Sequence, residues 1–203
     1  GAFEHRQFAD LKEYLRPTDL LVLNQTRVIP ARLKGYKTET GGKVEVLLLR
    51  QRNETTWETL VGGKNVITGS ALTLEREGTQ VRASVIDVLD GARRVVQFEE
   101  PLNSHLDKLG EVPLPPYIHE PLADPERYQT VFARYEGSAA APTAGLHFTG
   151  DMLVDLNRMG IEFAYCTLNI GLGTFQPVKV DDVSQHEMHS EWASLSARDA
   201  QLI

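Results

Sequence analysis

Residues 24–27, Asn-Gln-Thr-Arg, together with Arg32, suit anion binding. They follow the apolar run 20–23, which reads as a buried strand, so they fall where open α/β sheets bind ligands. Asn24 can position a ligand. Arg27 and Arg32 can grip a carboxylate or phosphate with paired N–H bonds, or else are surface arginines beside a domain crossing. A second group spans residues 137–148, where seven of the first nine residues are Gly, Ser or Ala. Small side chains let the backbone approach a ligand and present its N–H groups, which makes Thr143 and Gly145 candidate contacts. His147 lies just before Thr149, a candidate helix cap, and is either a proton-transfer group or a packed core histidine.

Asn169, Gly171 and Gly173 follow a second apolar run, 161–170. The Gly-x-Gly turn lacks the third glycine and the helix of a dinucleotide fingerprint, so it reads as a ligand-approach loop or a plain turn. His186, His189 and Glu191 form an ionisable cluster suited to proton transfer, or a solvated polar face. The two histidines are three apart, whereas zinc proteases place them four apart on one helix face, so no metal is expected. Cys166, inside an apolar run, reads as a buried, inert thiol.

The elements that must position these groups divide in two. Residues 4–15 place Phe8, Leu11 and Leu15 at helical spacing before Pro17. Residues 43–50, 56–61, 71–75, 80–89 and 93–100 read as short strands punctuated by glycines, with Asp90-Gly91 as a hairpin turn. That pattern predicts a small β-barrel or sandwich. Helices are expected over 102–109, 124–135 and 151–159, the last stopped by Gly160. The run 161–170 shows little alternation and reads as a strand buried on both faces. The expected architecture is a mixed α/β domain, 1–32 and 113–203, interrupted by an inserted β-barrel over 33–112.

The chain has 203 residues, 41% hydrophobic and 24% charged, which excludes a predominantly disordered polypeptide. One cysteine excludes an internal disulfide and fits a reducing compartment. No apolar run approaches the ~20 residues of a membrane-spanning helix, and no signal segment opens the chain. The net charge of −7 argues against nucleic-acid binding by bulk charge, but residues 1–52 carry 10 Lys/Arg against 6 Asp/Glu. A basic end on an acidic chain leaves room for an anionic partner. The chain opens on Gly1, and a capping box at residues 196–199 starts a helix with little room to finish, so a longer native chain is expected.

These segments together resemble the S-adenosylmethionine:tRNA ribosyltransferase-isomerase family of queuosine biosynthesis. The likeness is carried by L-V-L-N-Q-T-R-V-I-P-A-R-L from Leu21 and P-L-P-P-Y-I from Pro113. It continues through D-P-E-R-Y-Q-T-V-F-A and A-A-P-T-A-G-L-H-F within 124–148, T-L-N-I-G-L-G-T-F-Q-P-V from Thr167 and H-E-M-H-S-E from His186. The blocks come in the family's order and cover nearly the whole chain. The resemblance implies transfer of the ribosyl unit of S-adenosylmethionine to a 7-aminomethyl-7-deazaguanine at the tRNA wobble position, giving epoxyqueuosine, adenine and methionine. It implies S-adenosylmethionine as co-substrate, the tRNA anticodon loop as partner, a monomer in the cytoplasm and no membrane. On this reading Asn24, Arg27, Arg32, Thr143, Gly145, Asn169, Gly171 and Gly173 bind substrate. His147, His186, His189 and Glu191 are the acid and base candidates. Two departures stand out. The family pattern carries histidine where this chain has Asn169, and the family extends beyond both ends of this sequence. The alternatives are a non-catalytic RNA-binding relative or an inactive fragment, and a hydrolase or metalloenzyme using His186 and His189.

Overall fold

The computed structural model describes residues 3–115, 117–118, 120, 122–171, 180–185 and 190–203. The chain enters through a 3₁₀ helix, Phe8–Glu13, then runs extended as β1 (Leu20–Asn24) and β2 (Thr26–Val28). Six strands follow: β3 (Arg32–Lys37), β4 (Lys43–Gln51), β5 (Thr56–Gly62), β6 (Ala71–Arg76), β7 (Thr79–Val88) and β8 (Arg93–Phe98). They pair antiparallel in the order β4-β5-β8-β7-β6-β3, and β3 pairs back onto β4, which closes a barrel and removes the free edges. Val44, Val46 and Leu48 alternate inward along β4 and meet Leu33, Leu72, Leu74, Val81, Val85 and Phe98 in one buried core. Leu102, Leu106 and Leu109 join the same core. The last two lie on α1 (Leu106–Leu109), which leads into the short β9 (Gly110–Glu111) on β3.

Outside the barrel, β10 (Tyr135–Ser138) pairs parallel with β2. Helix α2 (Gly150–Arg158) is capped by Thr149, whose hydroxyl accepts from the Met152 N–H at 3.2 Å. It returns the chain to β11 (Glu162–Asn169), parallel to β1 and antiparallel to β12 (Trp192–Leu195); α3 (Ala197–Leu202) ends the chain. Leu23, Phe148, Met152, Leu156 and Ile161 form a second core, against which Phe8, Leu11 and Leu15 pack. The expected mixed α/β region carrying a small β-barrel is therefore what the chain forms. No helix among the described residues is long and apolar enough to cross a membrane.

Several local expectations are corrected. Within 4–15 only Phe8–Glu13 is helical, and it is a 3₁₀ helix, in keeping with the three-residue step from Phe8 to Leu11. Within 124–135 the only helical piece is a 3₁₀ turn, Pro125–Tyr128, because Gln129 leaves helical geometry. Its side-chain amide accepts from the Val28 N–H and donates to the Val28 carbonyl, each at 2.9 Å, and the tertiary bonds override local propensity. The helix expected over 102–109 is split at His105. Val22 is 49% exposed, so β1 is not buried on both faces, and β11 is largely half-buried. Cys166 is likewise half-buried.

On the barrel wall, burial by itself raises the Glu58 pKa, but hydrogen bonds from Arg52 and Arg93 outweigh it and hold the carboxyl below its ordinary value. Such a group adds stability above its unfolded pKa of about 4.3, and the contribution is lost as pH falls through the lower folded value. Glu58→Gln is expected to cost about 1 kcal/mol at pH 7. The difference should vanish in acid, as read by urea denaturation across a pH series. A constant difference at every pH would contradict the assignment.

Candidate active site

The extended run from Leu20 to Val28 changes partners at Gln25. Its N–H donates to the Cys166 carbonyl on β11 at 2.9 Å, while its carbonyl accepts from Arg134 N–H at 2.8 Å beside β10. The two parallel pairings, β1 with β11 and β2 with β10, therefore diverge at residues 24–26. A switch of partners at the carboxyl end of a strand leaves a crevice that loops can line.

Asn24 is held on both sides of its amide. Nδ2 donates to the Leu168 carbonyl at 2.9 Å, and Oδ1 accepts from the N–H groups of Leu168 at 3.0 Å and Thr26 at 3.1 Å. It extends the strand pairing where backbone partners run out, so its role here is to fix β11 against β1. The Thr26 hydroxyl, fully buried, donates to Asn169 Oδ1 at 2.8 Å. Gly137 sits under the same amide with φ +146°, and a Cβ there would lie 2.7 Å from Asn169 Nδ2. Ser138 completes the joint. Its Oγ accepts from Ile170 N–H at 2.9 Å and donates to the Ala140 carbonyl at 2.7 Å, while Ala139 N–H reaches the Ile170 carbonyl at 3.0 Å.

The small-residue loop then runs inward through Ala139, Ala140 and Ala141, all buried, into a 3₁₀ turn, Thr143–His147. Gly145 is needed for close approach, since a Cβ would lie 2.8 Å from Thr130 Cγ2 and 3.0 Å from Phe132 Cζ. The His147 ring packs on Phe8 with centroids 5.1 Å apart, beside an open depression of about 340 Å³ that also touches Arg6, Leu11 and Tyr14. Tyr128 packs with Val28 and Ala141 under this loop, and burial pushes its phenol above the usual value. Its hydroxyl lies beside the Ala141 backbone outside good hydrogen-bond geometry.

On the other side, Glu191 Oε1 accepts from Gly171 N–H at 2.8 Å, which brings an acid/base candidate to the loop after β11. Asn24, Asn169, Gly171 and Glu191 thus converge, joined to the 137–147 loop through Gly137 and Ser138. The arginines do not join them. Arg27 forms an ion pair with Glu126, and Arg32, at the start of barrel strand β3, faces Glu45 at 3.6 Å. Gly173, His186 and His189 lie outside the described residues. Among the described residues no group of three or more His, Cys, Asp or Glu is placed to hold a metal ion. Sequence reasoning passed over Ser138 and Gln129 as site-building residues. A lone serine ahead of three alanines was a signal for the first; nothing in the sequence marks the second.

A family model described as queuosine biosynthesis protein matches residues 1–203. The chain is 51% identical over 207 residues to the S-adenosylmethionine:tRNA ribosyltransferase-isomerase of Moorella thermoacetica. It is 49% identical over 206 residues to the protein of that name from Staphylococcus aureus strain Newman. In both cases all of this chain is covered and 60% of the relative, so the chain spans about three fifths of the curated relatives it matches. A solved structure, the S-adenosylmethionine tRNA ribosyltransferase of Thermotoga maritima, is 28% identical over 82% of this chain and 46% of that chain, with a TM-score of 0.34.

Proposed function

Because this chain belongs to the queuosine biosynthesis protein family, we propose that it is part of an S-adenosylmethionine:tRNA ribosyltransferase-isomerase. The reaction is transfer of the ribosyl unit of S-adenosylmethionine to 7-aminomethyl-7-deazaguanine at the wobble position of tRNA. Epoxyqueuosine forms, and adenine and methionine leave. The observation that carries this reading is identity near one half along the whole chain to relatives bearing that name. The protein works in the cytoplasm as a monomer, takes the anticodon loop of tRNA and uses no metal. It divides into an α/β domain, 1–32 and 113–203, and an inserted barrel, 33–112.

Deprotonation beside a sulfonium needs a base, and adenine departs more readily with an acid at hand. Asn169 has an amide that donates and accepts but does not titrate, and its Oδ1 is already engaged by Thr26. Its role is to position substrate, leaving proton transfer to His147, His186, His189 and Glu191. The Gly171 N–H aims the Glu191 carboxylate. Thr143, Gly145, Gly171 and Gly173 bring backbone close to the substrate. Arg27 and Arg32, which face Glu126 and Glu45, exchange that partner for a substrate anion.

The test is adenine release from S-adenosylmethionine with and without tRNA bearing the aminomethyl-deazaguanine base, with intact mass recorded on the same sample. Release only with the modified tRNA supports the reading. No release from a protein of the relatives' length contradicts it, whereas no release at 22.6 kDa shows that this portion alone is inactive. His147→Ala is expected to lower turnover at least ~tenfold, the lost contribution of one proton-transfer group. Near-normal turnover removes His147 from the acid and base candidates.

A further inference from the structure

One rim of the barrel gathers four cations from three separate stretches of chain. Lys37 ends β3 and Lys43 begins β4, across the turn 38–42. Lys64 lies on the turn after β5, and Arg94 on β8. The turns touch one another: a Cβ on Gly63 would lie 3.1 Å from Val44 Cγ1 and 3.2 Å from the Lys43 carbonyl. Two of the cations are anchored by main-chain oxygens. Lys37 Nζ donates to the Lys64 carbonyl at 3.2 Å, and Arg94 Nε donates to the Val66 carbonyl at 3.0 Å.

Among the described residues, none of the four has a carboxylate within ion-pair distance, although other barrel cations do: Lys34 with Glu111, Arg52 and Arg93 with Glu58. Of the nearby acids, Glu45 faces Arg32, Asp90 (next to Gly91, whose carbonyl accepts from Arg94) pairs with Arg93, and Glu39 on the exposed turn pairs with none of the four. The rim is a positive island on a chain of net charge −7. Residues 33–98 carry ten Lys/Arg against eight Asp/Glu, so the excess acid lies elsewhere. Like charges held together without counter-ions are costly until a polyanion neutralises them, and lysines act on phosphates as point charges without regard to base.

The geometry points to this rim as a docking surface for the sugar–phosphate backbone of tRNA, apart from the residues that meet the wobble base. The inference rests on the proposed function, which supplies the RNA. The rim holds the body of the tRNA by charge while the residues around Asn169 handle one nucleoside. The catalytic loops then need no net positive charge of their own.

The test is binding of a full-length tRNA carrying the aminomethyl-deazaguanine base across a salt series, with K37Q/K43Q/K64Q in the whole protein. Lys108→Gln serves as a control neutralisation on α1. Each lost phosphate contact removes about 0.7–0.9 from the slope of log affinity against log salt. The triple variant should lose about 2–3 in slope and bind roughly tenfold or more weakly at low salt, while KM for S-adenosylmethionine and kcat at saturating tRNA stay unchanged. The double variant K43Q/K64Q keeps the Lys37 anchor and should lose proportionately less slope, which separates charge from misfolding. Lys108→Gln should leave the slope as it is. An unchanged slope in the triple variant, with the unsubstituted protein binding tRNA normally, overturns this inference alone. Absence of tRNA binding by the unsubstituted protein overturns it together with the proposed function.

Discussion

Gly137→Ala is expected to reduce adenine release by about a hundredfold or more, the scale of a 1 Å misplacement in a catalytic constellation. Residue 137 has φ +146°, where a side chain is strained in any surroundings, and its Cβ would lie 2.7 Å from Asn169 Nδ2 and 3.2 Å from Asn169 Cγ. Asn169 has little freedom to retreat. The buried Thr26 hydroxyl holds its Oδ1, and its backbone pairs with Trp192 on β12. Something at the joint must move: the amide, the 137–147 loop or the end of β11. Each of these carries a residue assigned to the reaction, so the damage falls on turnover as well as on stability. Gly150→Ala is the matching control. It opens α2, a Cβ there meets nothing within 4 Å, and alanine favours helix, so activity should be unchanged. Normal turnover in Gly137→Ala would show that the Asn169 amide and the loop are not coupled as described.

Gly35→Ala should prevent the chain from folding cooperatively. Gly35 pairs with Leu74 where β3 meets β6, and its Cβ would lie 2.1 Å from the Thr73 carbonyl oxygen and 2.8 Å from Leu74 Cα. Both obstacles are backbone of the neighbouring strand, so no rotamer change relieves them. In an open sheet β3 could shift outward. Here it is fixed on both sides, by β4 and β6, in a closed ring. Separating β3 from β6 would break ladder hydrogen bonds and expose Leu33, Leu72 and Leu74 to water. The expected loss exceeds about 4 kcal/mol, much of the total stability of an ordinary domain. Gly62→Ala offers the contrast, since its Cβ would sit 3.8 Å from Glu45 Cβ in ordinary contact and should change stability by less than about 1 kcal/mol. Thermal unfolding followed by near-ultraviolet circular dichroism reads both. A sharp, wild-type-like transition in Gly35→Ala would refute the close approach of β3 and β6.

The two substitutions mark different limits of what a sequence discloses. Gly137 stands in a visibly unusual run of small residues, so a candidate site there was legible, although the contact with Asn169 was not. Gly35 stands in Arg-Leu-Lys-Gly-Tyr-Lys, too polar to announce the strand that closes the barrel. The other five barrel strands were read in nearly their observed places, because alternating apolar residues between glycine turns are a local pattern with a single structural solution. The helix expected over 124–135 went wrong for the converse reason. Its propensity is local, but Gln129 finds its hydrogen bonds on Val28, about a hundred residues away.

By itself, then, the sequence determined the glycine-punctuated barrel, the capped helix α2 ahead of β11, and the family, whose motifs are short runs that need no folding to be read. Only the tertiary structure decided which partners those motif residues meet. Asn24 proved to be a strand clamp, Arg27 and Arg32 turned to carboxylates, and Glu191 came to the Gly171 N–H from twenty residues along the chain. The physical reason is range. Periodicity and turn chemistry act between neighbours in the chain, whereas a buried amide, a fitted glycine or an ion pair is satisfied by whichever group the closed fold brings to it.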